Sequence, residues 1–136
     1  MIGFTCGVFD LTHAGHYLMF KEAKYLCDLL IVGIKVDPTV DKPDKRKPIQ
    51  SMTERQIQVK SCKYVGDVVT YETEQDLKVL VDSLSISRVF MGSDHLNRPK
   101  GSYRKYCDKR GIEIVYTSRR HKYSTTNLIE RIKQSK

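Results

Sequence analysis

The run Leu29-Leu30-Ile31-Val32-Gly33-Ile34 is apolar at every position, so a strand built from it has no face to offer to water. Such a strand belongs in a parallel sheet covered by helices on each side. The rest of the chain repeats the theme. Ile2 to Cys6 reads as a strand, and Ala14 to Cys27 as a helix whose apolar positions Leu18, Met19, Ala23 and Leu26 recur at helical spacing. Asp37 to Gln50, broken by Pro38, Pro43 and Pro48, is a loop. Thr53 to Tyr64 reads as a helix with Ile57 inward, Asp67 to Tyr71 as a strand, and Glu74 to Leu84 as a helix with Leu77, Leu80, Val81 and Leu84 on one face. Ser87 to Met91 and Ile112 to Tyr116 are further strands, with a helix over Lys100 to Arg110 between them. A last helix starts near Ser124 and carries Leu128, Ile129 and Ile132. Alternation at this spacing predicts an α/β chain, a Rossmann-like open parallel sheet with helices on both faces, in one domain over residues 1–136. Ligands then bind beyond the carboxyl ends of the strands, where the strand order reverses.

Composition narrows the function. The longest apolar run falls far short of the roughly 20 residues a membrane span needs. The N-terminus opens on strand-like sequence rather than a basic stretch followed by an apolar one, which makes the cytosol the expected compartment. Cys6, Cys27, Cys62 and Cys107 are scattered and form no Cys-x-x-Cys pair, so they read as reduced thiols. The net charge of +8 suits a polyanionic partner, either nucleic acid or a phosphorylated small molecule.

Two motifs carry chemistry. After the first strand comes Gly7-Val8-Phe9-Asp10-Leu11-Thr12-His13-Ala14-Gly15-His16, opening the first helix. A helix N-terminus has free N–H groups and partial positive charge, so phosphates settle there. Gly15 lets a phosphate approach the backbone, and His13 and His16, three residues apart, share one face of the turn. Both imidazoles can donate to phosphate oxygens as charge builds on them. Zinc ligation by the same pair needs a third ligand that the sequence does not place nearby, and simple capping is the plainer alternative. The second motif is Arg119-Arg120-His121-Lys122-Tyr123-Ser124-Thr125-Thr126, directly before the last helix. Ser124 and Thr125 are good N-cap residues beside free N–H groups, and Arg119 can grip phosphate oxygens with two donors.

The first motif resembles the signature of the cytidylyltransferase-like nucleotidyltransferases, Gly-x-Phe-Asp-x-x-His-x-Gly-His. The second resembles that family's Arg standing five residues before a Ser-Thr-Thr. In length and motif spread, from Gly7 to Thr126, the chain is most similar to glycerol-3-phosphate cytidylyltransferases. The resemblance implies transfer of CMP from CTP to a small phosphorylated alcohol, with release of pyrophosphate. It implies His13, His16 and Arg119 as the residues that stabilise charge, and Gly7, Val8, Phe9, Asp10, Gly15, Gly92, Asp94, Arg119, Ser124 and Thr125 on the nucleotide side. In the basic loop it implies Lys45 or Lys47, rather than Lys42, as the lysine that meets the acceptor phosphate, with Arg55 and Lys63 also on the acceptor side. Mg²⁺ would come bound mainly through the triphosphate, with no dedicated protein metal site, and a homodimer is expected. Departures from the family pattern are Gly66 where an Asp is frequent and His95 where a tryptophan is usual. Lys47-Pro48-Ile49 and Ser124-Thr125-Thr126-Asn127 are also similar to ATP-using relatives, so an adenylyltransferase acting on a sugar phosphate stays open. A basic nucleic-acid-binding module and a catalytically inactive scaffold are the readings from other classes.

Overall fold

The computed structural model describes residues 1–135. Five strands and five helices alternate: β1 (Ile2–Gly7), α1 (Ala14–Tyr25), β2 (Leu29–Lys35), α2 (Met52–Lys60), β3 (Asp67–Tyr71), α3 (Glu74–Ser83), β4 (Arg88–Gly92), α4 (Ser102–Lys109), β5 (Glu113–Thr117) and α5 (Thr125–Gln134). The strands form one parallel sheet in the order β3-β2-β1-β4-β5. The expected α/β architecture is the observed one.

The alternation of side chains along the strands builds a core on each face. On one face Leu30, Val32 and Ile34 of β2 and Phe90 of β4 pack with Phe20 and Ala23 of α1 and Val59 of α2. On the other, Phe4, Ile31 and Val89 pack with Leu77 and Val81 of α3 and Tyr103 and Cys107 of α4. The apolar run of β2 therefore feeds both cores in turn, which is why it has no polar position.

The chain leaves β1 toward β2 on one side and enters β4 on the other, so the order reverses between β1 and β4. β1 pairs with β2 along its whole length, from Ile2–Leu29 to Gly7–Ile34. Its ladder with β4 stops after Gly3–Arg88 and Phe4–Val89. Past that point the Thr5 hydroxyl donates to the Phe90 carbonyl at 3.1 Å. A crevice opens at the carboxyl ends of these two strands, and residues of both sequence motifs gather around it.

Several expected details move. Ile57 is 61 % exposed, and the inward positions of α2 are Arg55 and Val59. The helix begins at Met52, after a capping box in which Ser51 accepts from the Glu54 N–H and Glu54 accepts from the Ser51 N–H. It ends at Lys60 instead of running to Tyr64, because Cys62 and Val65 turn back on the carbonyls of Val59 and Cys62. On α1 the buried side chains are Phe20 and Ala23, whereas Leu18 and the C-cap residue Leu26 face outward. No residue of α5 is buried, and Ile132 is largely exposed. Among the described residues no helix is long and apolar enough to cross a membrane.

Candidate active site

The segment from Val8 to Thr12 delivers the first motif to the crevice through a strained backbone. Phe9 and Leu11 both hold φ at 52°, a left-handed conformation that costs a residue with a side chain about 1–3 kcal/mol. Their surroundings compensate. The Phe9 ring is buried, meets His16 edge-on at 5.4 Å and lies 5.3 Å from Phe20. The Leu11 N–H donates to Gln50 Oε1 at 2.7 Å. The Asp10 carboxylate is buried and accepts from the N–H groups of Ile49 and Gln50, both at 2.9 Å. Thus the turn after β1 is stitched to the end of the proline-rich loop before α1 starts.

His13 and His16 cap α1 for each other. His13 Nδ1 accepts from the Gly15 N–H at 3.0 Å, and His16 Nδ1 accepts from the His13 N–H at 3.2 Å. A neutral ring whose Nδ1 accepts carries its proton on Nε2. Both rings thereby become Nε2–H donors, with centroids 4.0 Å apart and planes tilted by 34°. Gly15 is required between them. A Cβ there would lie 2.8 Å from His13 Cε1 and 2.9 Å from His121 Cε1.

The second motif closes the cleft from above. The Ser118 N–H and hydroxyl donate to Glu22 of α1 at 2.7 and 2.6 Å, which pins the start of the segment leading to α5. Ser124 is the N-cap of α5 and accepts from the Asn127 N–H at 3.0 Å. Its neighbour Thr125 places its hydroxyl 3.3 Å from His13 Nε2. Residues 112 positions apart thus meet, and two helix N-termini face one cleft of about 300 Å³. His13, Gly15, His16, Gly92, Asp94, Arg119, Ser124 and Thr125 all line it. Arg119 stands 3.7 Å from the Asp94 carboxylate, which also has Arg98 at 3.7 Å. At these distances and exposures the pairs orient side chains more than they stabilise the fold.

A second cleft of about 630 Å³ opens beside the first. Gly7, Val8, Asp10 and Lys45 line it, together with Lys42, Arg46 and, from the other side, Arg98 and Arg104. Lys42 and Lys45 both line this cleft, so its geometry does not separate Lys42 from the expected pair Lys45 and Lys47. Lys47 lines neither cleft. Phe9 lines neither as well, because its ring supports His16 from beneath. Arg55 departs most from the acceptor-side expectation. It is 3 % exposed, and its guanidinium donates to the carbonyls of Val8 at 3.1 Å, Lys35 at 2.7 Å and Val36 at 2.9 Å. With those donors committed it braces the strand ends. Lys63 sits in the turn that leads into β3, at the end of the sheet away from the clefts, with its ammonium 5.2 Å from the Tyr64 ring centroid.

Sequence reasoning missed His121, whose Nδ1 accepts from the Tyr123 N–H at 3.1 Å and whose ring stacks on Tyr123. Its position between Arg119 and Ser124 was the available signal. Arg104 left none, since a basic residue inside a helix looks like solvated surface; here it is buried and donates to the Tyr116 hydroxyl at 2.8 Å.

Burial, then His13 and then Arg119, push the His16 pKa down to about 3. Burial, His121 and Arg119 lower His13. Both rings are neutral donors at neutral pH. In the unfolded chain each titrates near 6.5, so below that pH the unfolded state binds protons that the folded state refuses. Stability from these rings is complete above about pH 6.5 and is lost as pH falls toward the folded values. Urea midpoints are therefore expected to hold steady from pH 8 to 6.5 and to decline by pH 5. His16→Asn should decline less steeply, and parallel curves for the two proteins would contradict the half-buried neutral ring.

Among the described residues no group of three or more His, Cys, Asp and Glu side chains is placed to hold a metal ion. Among the described residues Asp94 is the single carboxylate lining the first cleft.

A family model described as Cytidylyltransferase-like matches residues 4–131. The chain is 36% identical over 136 residues to the bifunctional protein HldE of Helicobacter pylori, a match that takes in 98% of this chain and 28% of that protein. It is 35% identical over 130 residues to the ethanolamine-phosphate cytidylyltransferase of Dictyostelium discoideum, covering 93% of this chain and 36% of the relative. It therefore spans about a third of the length of these two curated relatives. An FAD synthase of Thermococcus sibiricus is 32% identical over 133 residues, with 94% and 89% covered. Among solved structures, a lipopolysaccharide core biosynthesis protein from Thermoplasma volcanium superposes with a TM-score of 0.70 at 27% identity, covering 91% of this chain and 98% of that one.

Proposed function

The chain belongs to the cytidylyltransferase-like nucleotidyltransferase family, and from that premise we propose that it transfers CMP from CTP to a small phosphorylated alcohol, with glycerol 3-phosphate the leading acceptor. The observation that carries this reading is the meeting of His13 and Thr125, which turns two helix N-termini onto one cleft. A triphosphate is the ligand whose charge and length suit such a pair.

The reaction needs no covalent enzyme intermediate. An oxygen of the acceptor phosphate attacks the α-phosphorus, its lone pair forms the new P–O bond, and the electrons of the old bridging bond leave with pyrophosphate. A phosphate monoester is already an anion, so no strong base is called for. Catalysis is positioning together with charge neutralisation. The Nε2–H groups of His13 and His16 donate to the α-phosphate and bridging oxygens, and neutral rings do so without giving up their protons. Arg119 leaves its loose pair with Asp94 for the phosphates. Lys45, in the adjoining cleft, holds the acceptor phosphate. The lone cleft carboxylate Asp94 fits Mg²⁺ carried in on the triphosphate, where it would neutralise charge on the phosphate oxygens.

A second reading keeps the site and changes the base. FAD contains an adenylyl group, and the similarity to an FAD synthase keeps ATP in contention. A pyrophosphate-release panel decides. It crosses CTP, ATP, UTP and GTP with glycerol phosphate, phosphoethanolamine, phosphocholine, pentitol phosphates and sugar 1-phosphates. Release with CTP and an alcohol phosphate is the expected result. Release with ATP alone replaces the nucleotide, and none with any pair removes the transferase reading.

A further inference from the structure

The two clefts lie on opposite faces of the sheet. The nucleotide cleft takes its floor from Thr5, Met19 and Phe90 on the α1 face, and the larger cleft takes its floor from Tyr71, Leu77 and Tyr103 on the α3–α4 face. They join over the crevice between β1 and β4, and three residues line both: Cys6, Met91 and His95. Building on the transfer reaction proposed above, one substrate sits in each cleft, so the attacking oxygen and the α-phosphorus meet at this junction. Of the three side chains there, Met91 offers only a weak thioether acceptor. Burial pushes the Cys6 thiol up to about 11, so it stays protonated and is at best a weak donor. His95 alone presents a strong N–H donor, with its side chain 43 % exposed.

Its backbone is well held. His95 closes the single 3₁₀ turn Ser93–His95 that follows β4. The Leu96 N–H returns to the Ser93 carbonyl at 3.1 Å and the Arg98 N–H to the His95 carbonyl at 3.2 Å. Arg104 grips the Arg98 carbonyl at 3.2 Å from the other side. The charges around the imidazole suit an anion. Lys42, Arg98 and Arg104 lie close enough to act on it, against the single carboxylate of Asp94 at 3.9 Å. Burial and those cations keep its pKa below the usual histidine value, so the ring is a neutral donor at neutral pH.

We infer that His95 is a catalytic residue of the transfer, donating an imidazole N–H to the acceptor phosphate and holding its attacking oxygen in line with the α-phosphorus. No proton changes hands; the hydrogen bond orients the acceptor while the P–O bonds form and break as described above.

Two substitutions and one binding measurement test this. His95→Leu should lower kcat/KM for glycerol phosphate about 10²-fold, the scale of losing one donor at the reacting group, and leave the KM for CTP within about twofold. His95→Gln keeps an N–H donor and should recover most of the loss. An equal loss in the Gln and Leu proteins, a loss that falls on CTP instead of the acceptor, or no loss overturns the inference. Glycerol phosphate titrated into the wild-type chain should also move the His95 imidazole signals in a ¹H–¹⁵N spectrum, assigned from the His95→Gln protein. That readout is independent of turnover. If the wild-type chain releases no pyrophosphate with any substrate pair, the transferase reading fails by itself. A saturable His95 shift would then still support an anion contact at this ring, and a signal that stays put would refute it.

Discussion

Alanine in place of His16 is expected to lower turnover about 10²-fold or more at saturating substrate, the loss measured when one transition-state donor is removed. The ring is placed for that role by three contacts. Its Nδ1 is taken by the His13 N–H, Phe9 meets it edge-on, and His13 lies against it with centroids 4.0 Å apart. Only Nε2 remains to face the cleft, and it carries the proton. The ring is neutral, so in the proposed transfer its hydrogen bond would strengthen as charge moves onto the bridging oxygen. The loss should therefore fall on kcat more than on the KM for the nucleotide. Losing half of the reciprocal cap would cost about 1 kcal/mol of stability, small enough to leave the protein folded at room temperature. A folded His16→Ala protein with single-turnover rates within threefold of wild type would reduce His16 to a helix cap.

Arg55→Met should lower stability strongly, although the residue is polar and stands on a polar helix. The guanidinium satisfies three carbonyls that end β2 and open the turn after β1, and methionine fills similar space without any donor. Stranding partly buried acceptors costs about 1–3 kcal/mol each before water and local movement repair some of it, so a net loss of about 3 kcal/mol is expected. At roughly 2.1 cal/mol/K of unfolding entropy per residue, that corresponds to a Tm lower by roughly 10 °C. Lysine should recover only part, since one ammonium cannot reproduce the planar fork. A calorimetric scan without substrate separates the roles. An unchanged Tm together with a raised acceptor KM would return Arg55 to the substrate side.

The comparison of the two arginines shows where sequence reading works. Arg119 stands in a motif whose spacing from Ser124 is local, so its placement at a helix start could be read from residues a few positions apart. Arg55 sits on a polar stretch that looks solvated in sequence, and it is buried because loops from two strand ends converge on it. Ile57 fails for the same reason. Helical spacing says which residues share a face, and only the capping at Ser51 and the packing of Val59 decide which face turns in. Phe9 is a third case. Its family-like position suggested nucleotide contact, whereas the left-handed backbone swings its ring under His16.

By itself the sequence determined the alternation of strands and helices, the burial of β2 on both faces and the location of the two capped helix starts at His13 and Ser124. Each of these depends on side-chain periodicity or capping within a few residues, where chain connectivity sets the geometry. Only the tertiary structure decided that His13 and Thr125 would touch across 112 residues, that Arg55 would brace the frame, and that His95 would stand where two clefts on opposite faces of the sheet join. Those facts depend on strand order and on where the β1–β4 ladder stops, which arise from packing among distant segments and leave no local pattern behind.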